Sequence, residues 1–386
     1  MQKQRRPGGH RNNQNKKKVS KINPKHLIKI ATETESDTFT SSKVFSEFDL
    51  EPALLKNIEV KGYKNPTEIQ EKTVEDLLLN KDMIGIAETG SGKTGAFLIP
   101  ILNKMIIFPQ VQAIVIVPTR ELAQQVEQEF QDLSKNLKIH SACFIGGTNV
   151  NRDINKAKGR PKFIVGTPGR LKDLTERRAL NLGQIDTLVL DEFDRMLDMG
   201  FIKDIRHLSK LMKGRQQTVL FSATANPSQN SIIKEFVHEP IKVSVTSGNA
   251  SSERVDQDII EVKPEENKID VLVDLLKQDA FEKVILFTET KRAADKLNKQ
   301  LHKNKIKTDV IHGNKSQNYR TKAIASFKAG KMKVLIATDV AARGIDIKDI
   351  THVINYQLPM TMDSYIHRIG RTGRAGKTGK ALTFIN

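Results

Sequence analysis

Residues 83–105 read MIGIAETGSGKTGAFLIPILNKM, and the passage changes character twice. MIGIA (83–87) is a short apolar run of the kind that forms a buried strand. GAFLIPILNKM (95–105) is a helical stretch. Between them lie Thr89, Gly90, Ser91 and Gly92, then Lys93 and Thr94. Strand, glycine-rich loop and helix, in that order, is the context of a phosphate-binding loop. Gly90 and Gly92 let backbone N–H groups turn inward, and the helix N-terminus adds positive potential. Lys93 is then placed to reach β- and γ-phosphates, and the Thr94 hydroxyl to hold Mg²⁺. The strict pattern opens on Gly, and this chain has Ala87 there.

The same alternation extends in both directions. Upstream of residue 247 the apolar runs are MIGIA, AIVIVP (113–118), FIVGTP (163–168), TLVLDE (187–192) and TVLFSAT (218–224). Downstream they are VILFTET (284–290), TDVIHG (308–313), VLIATD (334–339), HVINY (352–356) and ALTFIN (381–386). Short apolar runs separated by amphipathic helical stretches are buried parallel strands. Nearly every run ends in small, polar or charged residues, where open parallel sheets bind ligands. SGNASSE (247–253) is small, polar and without strong periodicity, and is read as a linker. The expectation is two doubly wound α/β domains in tandem, residues 45–246 and 254–386. Residues 1–44, basic and then Ser/Thr-rich, are expected to form a disordered tail.

LVLDEFDRM (188–196) raises the chemical question. Its apolar run stops at Asp191 and Glu192, and a third acid, Asp194, follows Phe193. One carboxylate just past a strand can hold Mg²⁺ through water, and the next can orient or deprotonate an attacking water. Acids also suit the first turn of any helix, so the motif is weak alone. A phosphate loop about 100 residues upstream makes it strong.

The totals agree with an anionic ligand. Lys and Arg number 63 against 45 Asp and Glu, a formal charge of +18. Ten of those cations fall in residues 1–30, which hold no acid, so the remainder carries +8. Such an excess suits nucleic acid, and the tail is either a non-specific nucleic-acid arm or a solvated segment. The single cysteine, Cys143, excludes an internal disulfide and a cysteine-based zinc site. No run approaches the roughly 20 apolar residues of a membrane helix. A cytoplasmic protein is expected.

Taken together, these motifs resemble, in family order from Phe45 to Asn386, those of the DEAD-box RNA helicases of superfamily 2. GYKNPTEIQ (62–70) is similar to the Q motif, which implies that Gln70 reads the adenine edge and upstream Phe45 stacks on the base. PTREL (118–122), GG (146–147) and TPGR (167–170) resemble the RNA-contacting segments of the first domain, through Arg120, Gly147, Thr167 and Arg170. LVLDEFD resembles motif II with Phe193 where the family has Ala, a DEFD variant. SAT (222–224) resembles motif III, implying that Ser222 and Thr224 hydrogen-bond Asp194 and link the ATP site to the domain interface. In the second half FTETK (287–291) resembles motif IV. HGNKSQNYR (312–320) resembles a segment whose Gly313, Gln317 and Arg320 face RNA, with Asn314 where an acid is usual. ATDVAARGID (337–346) resembles motif V, with Thr338 on RNA phosphate and Asp346 on the ribose. YIHRIGRTGR (365–374) resembles motif VI.

Within motif VI, Arg368, Arg371 and Arg374 recur every third residue, so on one helical turn they share a side. A guanidinium fork suits phosphate oxygens. Arg371 and Arg374 are read as arginine fingers delivered from the second domain, and His367 as a link to the motif II acids. The resemblance implies two RecA-like domains, ATP as substrate, Mg²⁺, and an RNA helicase that hydrolyses an acid anhydride. RNA stimulation and closure would be coupled, with backbone rather than base contacts to a single strand or short duplex. An ATP-gated RNA clamp with little hydrolysis is the alternative, and the presence of Lys93, Glu192, Arg371 and Arg374 favours the enzyme.

Overall fold

The computed structural model describes residues 20, 22–31, 39–88, 90–224, 229–245, 255–342, 347, 349–373 and 378–385. Strands β1 (Met83–Ala87), β2 (Ala113–Ile116), β3 (Ser141–Phe144), β4 (Phe163–Gly166), β5 (Thr187–Leu190), β6 (Gln217–Ser222) and β7 (Ile241–Val245) form one sheet, in the order β3-β4-β2-β5-β6-β1-β7. Strands β8 (Val255–Glu261), β9 (Val284–Phe287), β10 (Thr308–Ile311), β11 (Val334–Ala337), β12 (His352–Asn355) and β13 (Gly379–Ile385) form a second, in the order β10-β11-β9-β12-β13-β8. Every pairing within the two sheets is parallel. Two parallel-sheet domains in tandem are therefore what the chain forms. The linker at 247–253 lies outside the described residues.

Helices cover both faces of each sheet, because β-branched strands buried on two sides need an apolar layer above and below. Helix Arg120–Leu133 illustrates the local logic. Thr119 Oγ1 accepts from the Leu122 N–H at 3.3 Å and caps its start. Leu122, Val126, Phe130 and Leu133 recur on one face and are buried. Phe130 stacks on Phe163 of β4 with ring centroids 3.9 Å apart. Separate apolar clusters fill the two sides of the first sheet, and two more flank the second.

The order of the first sheet positions the chemistry. β1 pairs with β6, and β6 with β5. The phosphate loop after β1, the SAT segment after β6 and the acids after β5 thus emerge side by side at one edge.

Two sequence expectations need correction here. The expected disordered tail does not run to residue 44: Ser20 and residues 22–31 lie against the second domain, and Phe39–Val44 against the first. Ile22 and Leu27 are buried there. Ser42 donates from its backbone N–H and hydroxyl to the Glu71 carboxylate at 3.1 and 2.7 Å. Composition concealed this, because two apolar residues in a basic stretch are enough to anchor it. Strands β3, β7 and β8 also went unread. β7 alternates apolar with polar residues, β8 is interrupted by Asp, Gln and Asp, and all three lie at sheet edges.

His352, at the start of β12, is packed face-on against Phe281 at 4.0 Å. Burial first, and then the nearby Lys380 and Lys333, push its imidazole down to about 4. The unfolded chain takes up this proton first, so the contribution of neutral His352 is complete above the ordinary value near 6.5 and is lost as pH falls towards 4. Denaturant midpoints measured at pH 7 and pH 5 should therefore fall less in His352→Gln than in the natural chain. Equal falls would show that another group governs acid sensitivity.

Candidate ATP and nucleic-acid site

The phosphate loop turns on Gly90 and Gly92, with φ of 95° and 99°. Gly92 caps helix Lys93–Ile107 in the left-handed conformation, which a side chain would strain. Ser91 Oγ donates to the Glu88 carbonyl at 2.9 Å. Lys93 is buried and its Nζ donates to the Ala87 carbonyl at 2.8 Å. Thr94 follows it in the first helical turn, half-buried. Thr89 lies outside the described residues.

Gln70 is tied to this loop. Its Oε1 accepts from the Thr67 N–H at 2.9 Å and its Nε2 donates to the Gly92 carbonyl at 3.0 Å. Phe45, the aromatic expected to stack on the base, is packed within the first domain. It is 5% exposed, stacked on Tyr63 and tilted against Phe48, both at 6.1 Å, because the apolar cluster of the first domain absorbs its ring.

The acids after β5 are buried. Asp191 Oδ1 accepts from the Glu192 N–H at 2.9 Å. Burial pushes its carboxyl up to about 6; Glu192 and Asp194 push the same way, while the Lys93 charge opposes them. Glu192 sits at φ 53°, ψ 50°, a left-handed conformation that costs a non-glycine residue about 1–3 kcal/mol. Its carboxylate meets the Arg195 guanidinium at 3.0 Å, and both side chains are buried. Arg195 was not singled out from the sequence, although its i,i+3 position after Glu192 was the available signal.

Asp194 reaches the SAT segment as expected, but through one hydroxyl. Its Oδ2 accepts from the Ala223 N–H at 3.1 Å and from Thr224 Oγ1 at 3.3 Å. Ser222 Oγ instead donates to the Thr224 carbonyl at 2.8 Å, closing its own turn. Phe193 is fully buried and meets Phe236 edge-on, with centroids 5.8 Å apart.

Four expected nucleic-acid residues lie on the first domain. Gly147, at φ 80°, lies where an added Cβ would stand 2.3 Å from Arg120 Nη1, so the glycine makes room for that guanidinium. Arg170 ion-pairs with buried Asp153, and its Nη2 donates to the Thr148 carbonyl at 3.0 Å. Thr167 sits at the N-cap position of helix Pro168–Glu176, its carbonyl accepting from the Arg170 N–H at 3.1 Å, with no side-chain cap. Burial, with the like charges of Arg320 and Arg170, pulls Arg120 below its ordinary value while Glu121 opposes them. Among the described residues Arg120 makes no ion pair.

Gln317 and Arg320, expected to face RNA, lie at the boundary between the domains. Both are buried against the first domain rather than open towards a ligand. Gln317 Nε2 donates to Glu121 Oε1 at 3.0 Å and to Gln124 Oε1 at 3.1 Å. Arg320 Nη2 lies 2.8 Å from Glu121 Oε2. The buried Glu121 carboxylate recruits them, since an unpaired charge there is costly. Glu121 itself was quoted within PTREL but given no role. Gly313 packs beside Lys291, whose Nζ donates to Asn314 Oδ1 at 2.7 Å. Thr338 closes β11, nearly buried.

Motif VI is also corrected. Helix Met362–Ile369 ends at Gly370, so Arg371 leaves the helical face that carries Arg368. Arg368 forks onto Asp339 at 2.5 and 2.8 Å and donates to Asn355 Oδ1 at 3.1 Å, a clamp inside the second domain. Arg371 is nearly buried, its Nε donating to the His367 carbonyl at 3.3 Å. Asp346 and Arg374 lie outside the described residues.

No helix among the described residues is long and apolar enough to cross a membrane. A sequence model of the DEAD/DEAH box helicase family matches residues 67–232, and one of the helicase conserved C-terminal domain matches residues 267–376. The DEAD-box ATP-dependent RNA helicase CshA of Bacillus subtilis is 44% identical over 342 residues, 88% of this chain and 69% of that protein. The chain spans about two thirds of the length of the curated relatives it matches. Among solved structures, S. cerevisiae Dbp5 bound to RNA and ADP BeF3 is 36% identical with a TM-score of 0.78, covering 89% of this chain and 90% of that one. Mss116p bound to ssRNA and AMP-PNP is 32% identical with a TM-score of 0.80, covering 93% and 77%. The chain belongs to the DEAD-box RNA helicase family.

Proposed function

We propose that this chain is a cytoplasmic ATP-dependent RNA helicase that couples RNA-stimulated ATP hydrolysis to domain closure and local separation of RNA strands. The observation that carries this reading is the division of the chemistry. Lys93, Asp191 and Glu192 emerge from the first sheet, whereas Arg371 belongs to the second domain. A site divided this way is complete only when the domains close. The contact of Glu121 with Gln317 and Arg320 supports closure as a built arrangement. Two solved relatives of similar arrangement carry RNA and nucleotide together.

In this reading the loop N–H groups cradle the phosphates of ATP, and Lys93 exchanges the Ala87 carbonyl for phosphate oxygens. Gln70 joins the base to the loop through Gly92. Phe45 would contribute to the base site only after its ring is uncovered. Thr94 and Asp191 would hold Mg²⁺: the set is all oxygen, as that ion prefers, and a cation would relieve the buried, raised carboxyl. When bound, the ion neutralises phosphate charge. Glu192 orients the attacking water once its carboxylate leaves Arg195. Arg371 and Arg374 stabilise the charge that spreads over the transferred phosphoryl group, and His367 supports them from the same segment.

RNA would lie along the edge where Arg120 faces Gly147, with Thr167, Gly313 and Thr338 offering close backbone approach. Arg120 supplies a cation that makes no ion pair among the described residues, whereas Arg170 acts by setting the Thr148 turn beside it. Gln317 and Arg320 bridge the domains next to Arg120, so RNA and ATP favour one conformation and strengthen each other's binding. Contacts to sugar and phosphate give shape and 2′-hydroxyl selectivity rather than sequence selectivity. Asp194 passes the state of the acids to Thr224, with Ser222 shaping that turn. The DEFD form of motif II works because a pocket ending at Phe236 accommodates Phe193.

Three variants test this reading. Lys93→Ala should abolish phosphate release in the presence of single-stranded RNA; retained turnover would remove the loop from the mechanism. Arg371→Ala should bind ATP nearly normally while kcat falls by about 10³ or more. A parallel loss of nucleotide binding would contradict the finger role. Phe193→Ala should destabilise the first domain by about 3–5 kcal/mol in urea unfolding without raising RNA-stimulated turnover. A large rise would mean that the ring restrains the acids.

A further inference from the structure

The two family matches begin at residues 67 and 267, yet a segment upstream of both completes the second domain. Ile22 and Leu27 are buried in one cluster with Val255, Tyr365, Ile369 and Ala381. Asn23 Oδ1 accepts from the Lys25 N–H at 3.1 Å and caps the single turn Pro24–Leu27. Beyond that turn Lys29 pairs with Gln257, an antiparallel bridge with hydrogen bonds of 2.9 and 2.8 Å on the free edge of β8. The Ala31 N–H donates to Asp256 Oδ1 at 2.8 Å, and Ser20 Oγ donates to the Pro359 carbonyl at 2.5 Å.

What this segment touches matters more than where it comes from. Tyr365 and Ile369 belong to helix Met362–Ile369, which leads directly into Arg371. Tyr365 Oη also donates to Gln257 Oε1 at 3.0 Å, so the residue that pairs with Lys29 anchors the helix as well. The helix is eight residues long, too short to hold itself, and depends on packing. Arg368 fastens it from the side of the sheet. Ile22 and Leu27 fasten it through Tyr365 and Ile369.

We propose that Ile22 and Leu27 are positioning residues for ATP hydrolysis: docking of residues 20–31 fixes the helix that sets Arg371. This rests on the finger role of Arg371 proposed above. A finger displaced by about 1 Å can lose up to about 10²-fold in rate, so a modest shift of the helix registers in kcat. Apart from Asp346, the residues assigned to nucleotide binding lie on the first domain, away from this helix.

The test measures RNA-stimulated ATP hydrolysis by the full chain, natural and with Leu27→Asp, Leu27→Met, or residues 1–31 removed. Leu27→Asp and the truncation should each lower kcat about tenfold or more, with KM for ATP changed less than about twofold. Leu27→Met should keep kcat near that of the natural chain. Unchanged kcat in both disrupted forms, or KM rising in step with the loss, overturns the proposal. Should Leu27→Asp fail to fold, the truncation decides. Hydrogen exchange on the natural chain gives a check free of variants: the Lys29 amide should be protected like that of Gln257, and free exchange there refutes docking. Arg371→Ala, assayed alongside, separates the two ideas. If its kcat is intact the finger reading fails, whereas its collapse beside an active Leu27→Asp form removes only the positioning role.

Discussion

A buried carboxylate, Glu121, lies between two domains and takes partners from the far one. Gln317 donates to one carboxylate oxygen, and the Arg320 guanidinium lies 2.8 Å from the other without an aligned hydrogen bond; Arg320 also donates to the Ala341 carbonyl at 3.4 Å. Removing one partner of such a group leaves a charge in a poor solvent, a cost of several kcal/mol. The neighbour of Glu121 in the chain, Arg120, lies against Gly147 on the proposed RNA edge. A ligand bound at Arg120 is thus one residue away from the contact that joins the domains. That proximity gives nucleic acid a physical route to influence the distance between Arg371 and the phosphate loop.

The acids after β5 hold a second balance. Asp191, Glu192 and Asp194 crowd three carboxylates into a turn, and each is answered differently. Burial, aided by its acidic neighbours, holds the Asp191 proton up to about 6 against the opposing charge of Lys93. Glu192 takes the Arg195 guanidinium, and Asp194 takes the backbone and hydroxyl of the SAT turn. Phe193 contributes nothing to this charge pattern. Its ring points into the apolar layer and pins the turn from beneath.

Much of the architecture was legible because the buried strands carry their burial on their surface chemistry. AIVIVP and TLVLDE, apolar on both faces, occupy the sheet interior and were read directly. IKVSV and VDQDIIE were not, because these edge strands mix polar with apolar residues, and SACF was not because Ser, Ala and Cys give it no large apolar run although it is buried. The helix spacing of Arg368 and Arg371 misled for a different reason. Gly370 ends the helix between them, sending one arginine to Asp339 and the other out of the helical face. KINPKHLIKI looked like tail because composition averages over ten residues, whereas docking needed only Ile22 and Leu27.

The division follows from distance along the chain. The phosphate loop, the acids and the strand–helix alternation are local patterns, set by backbone sterics and by the period of apolar residues, and they are complete within a few neighbours. The partners of Glu121 lie 196 residues away, and those of Leu27 more than two hundred. No spacing rule links such positions. They meet because two independently folded sheets present complementary charged and apolar surfaces, and burial then selects which polar groups must pair.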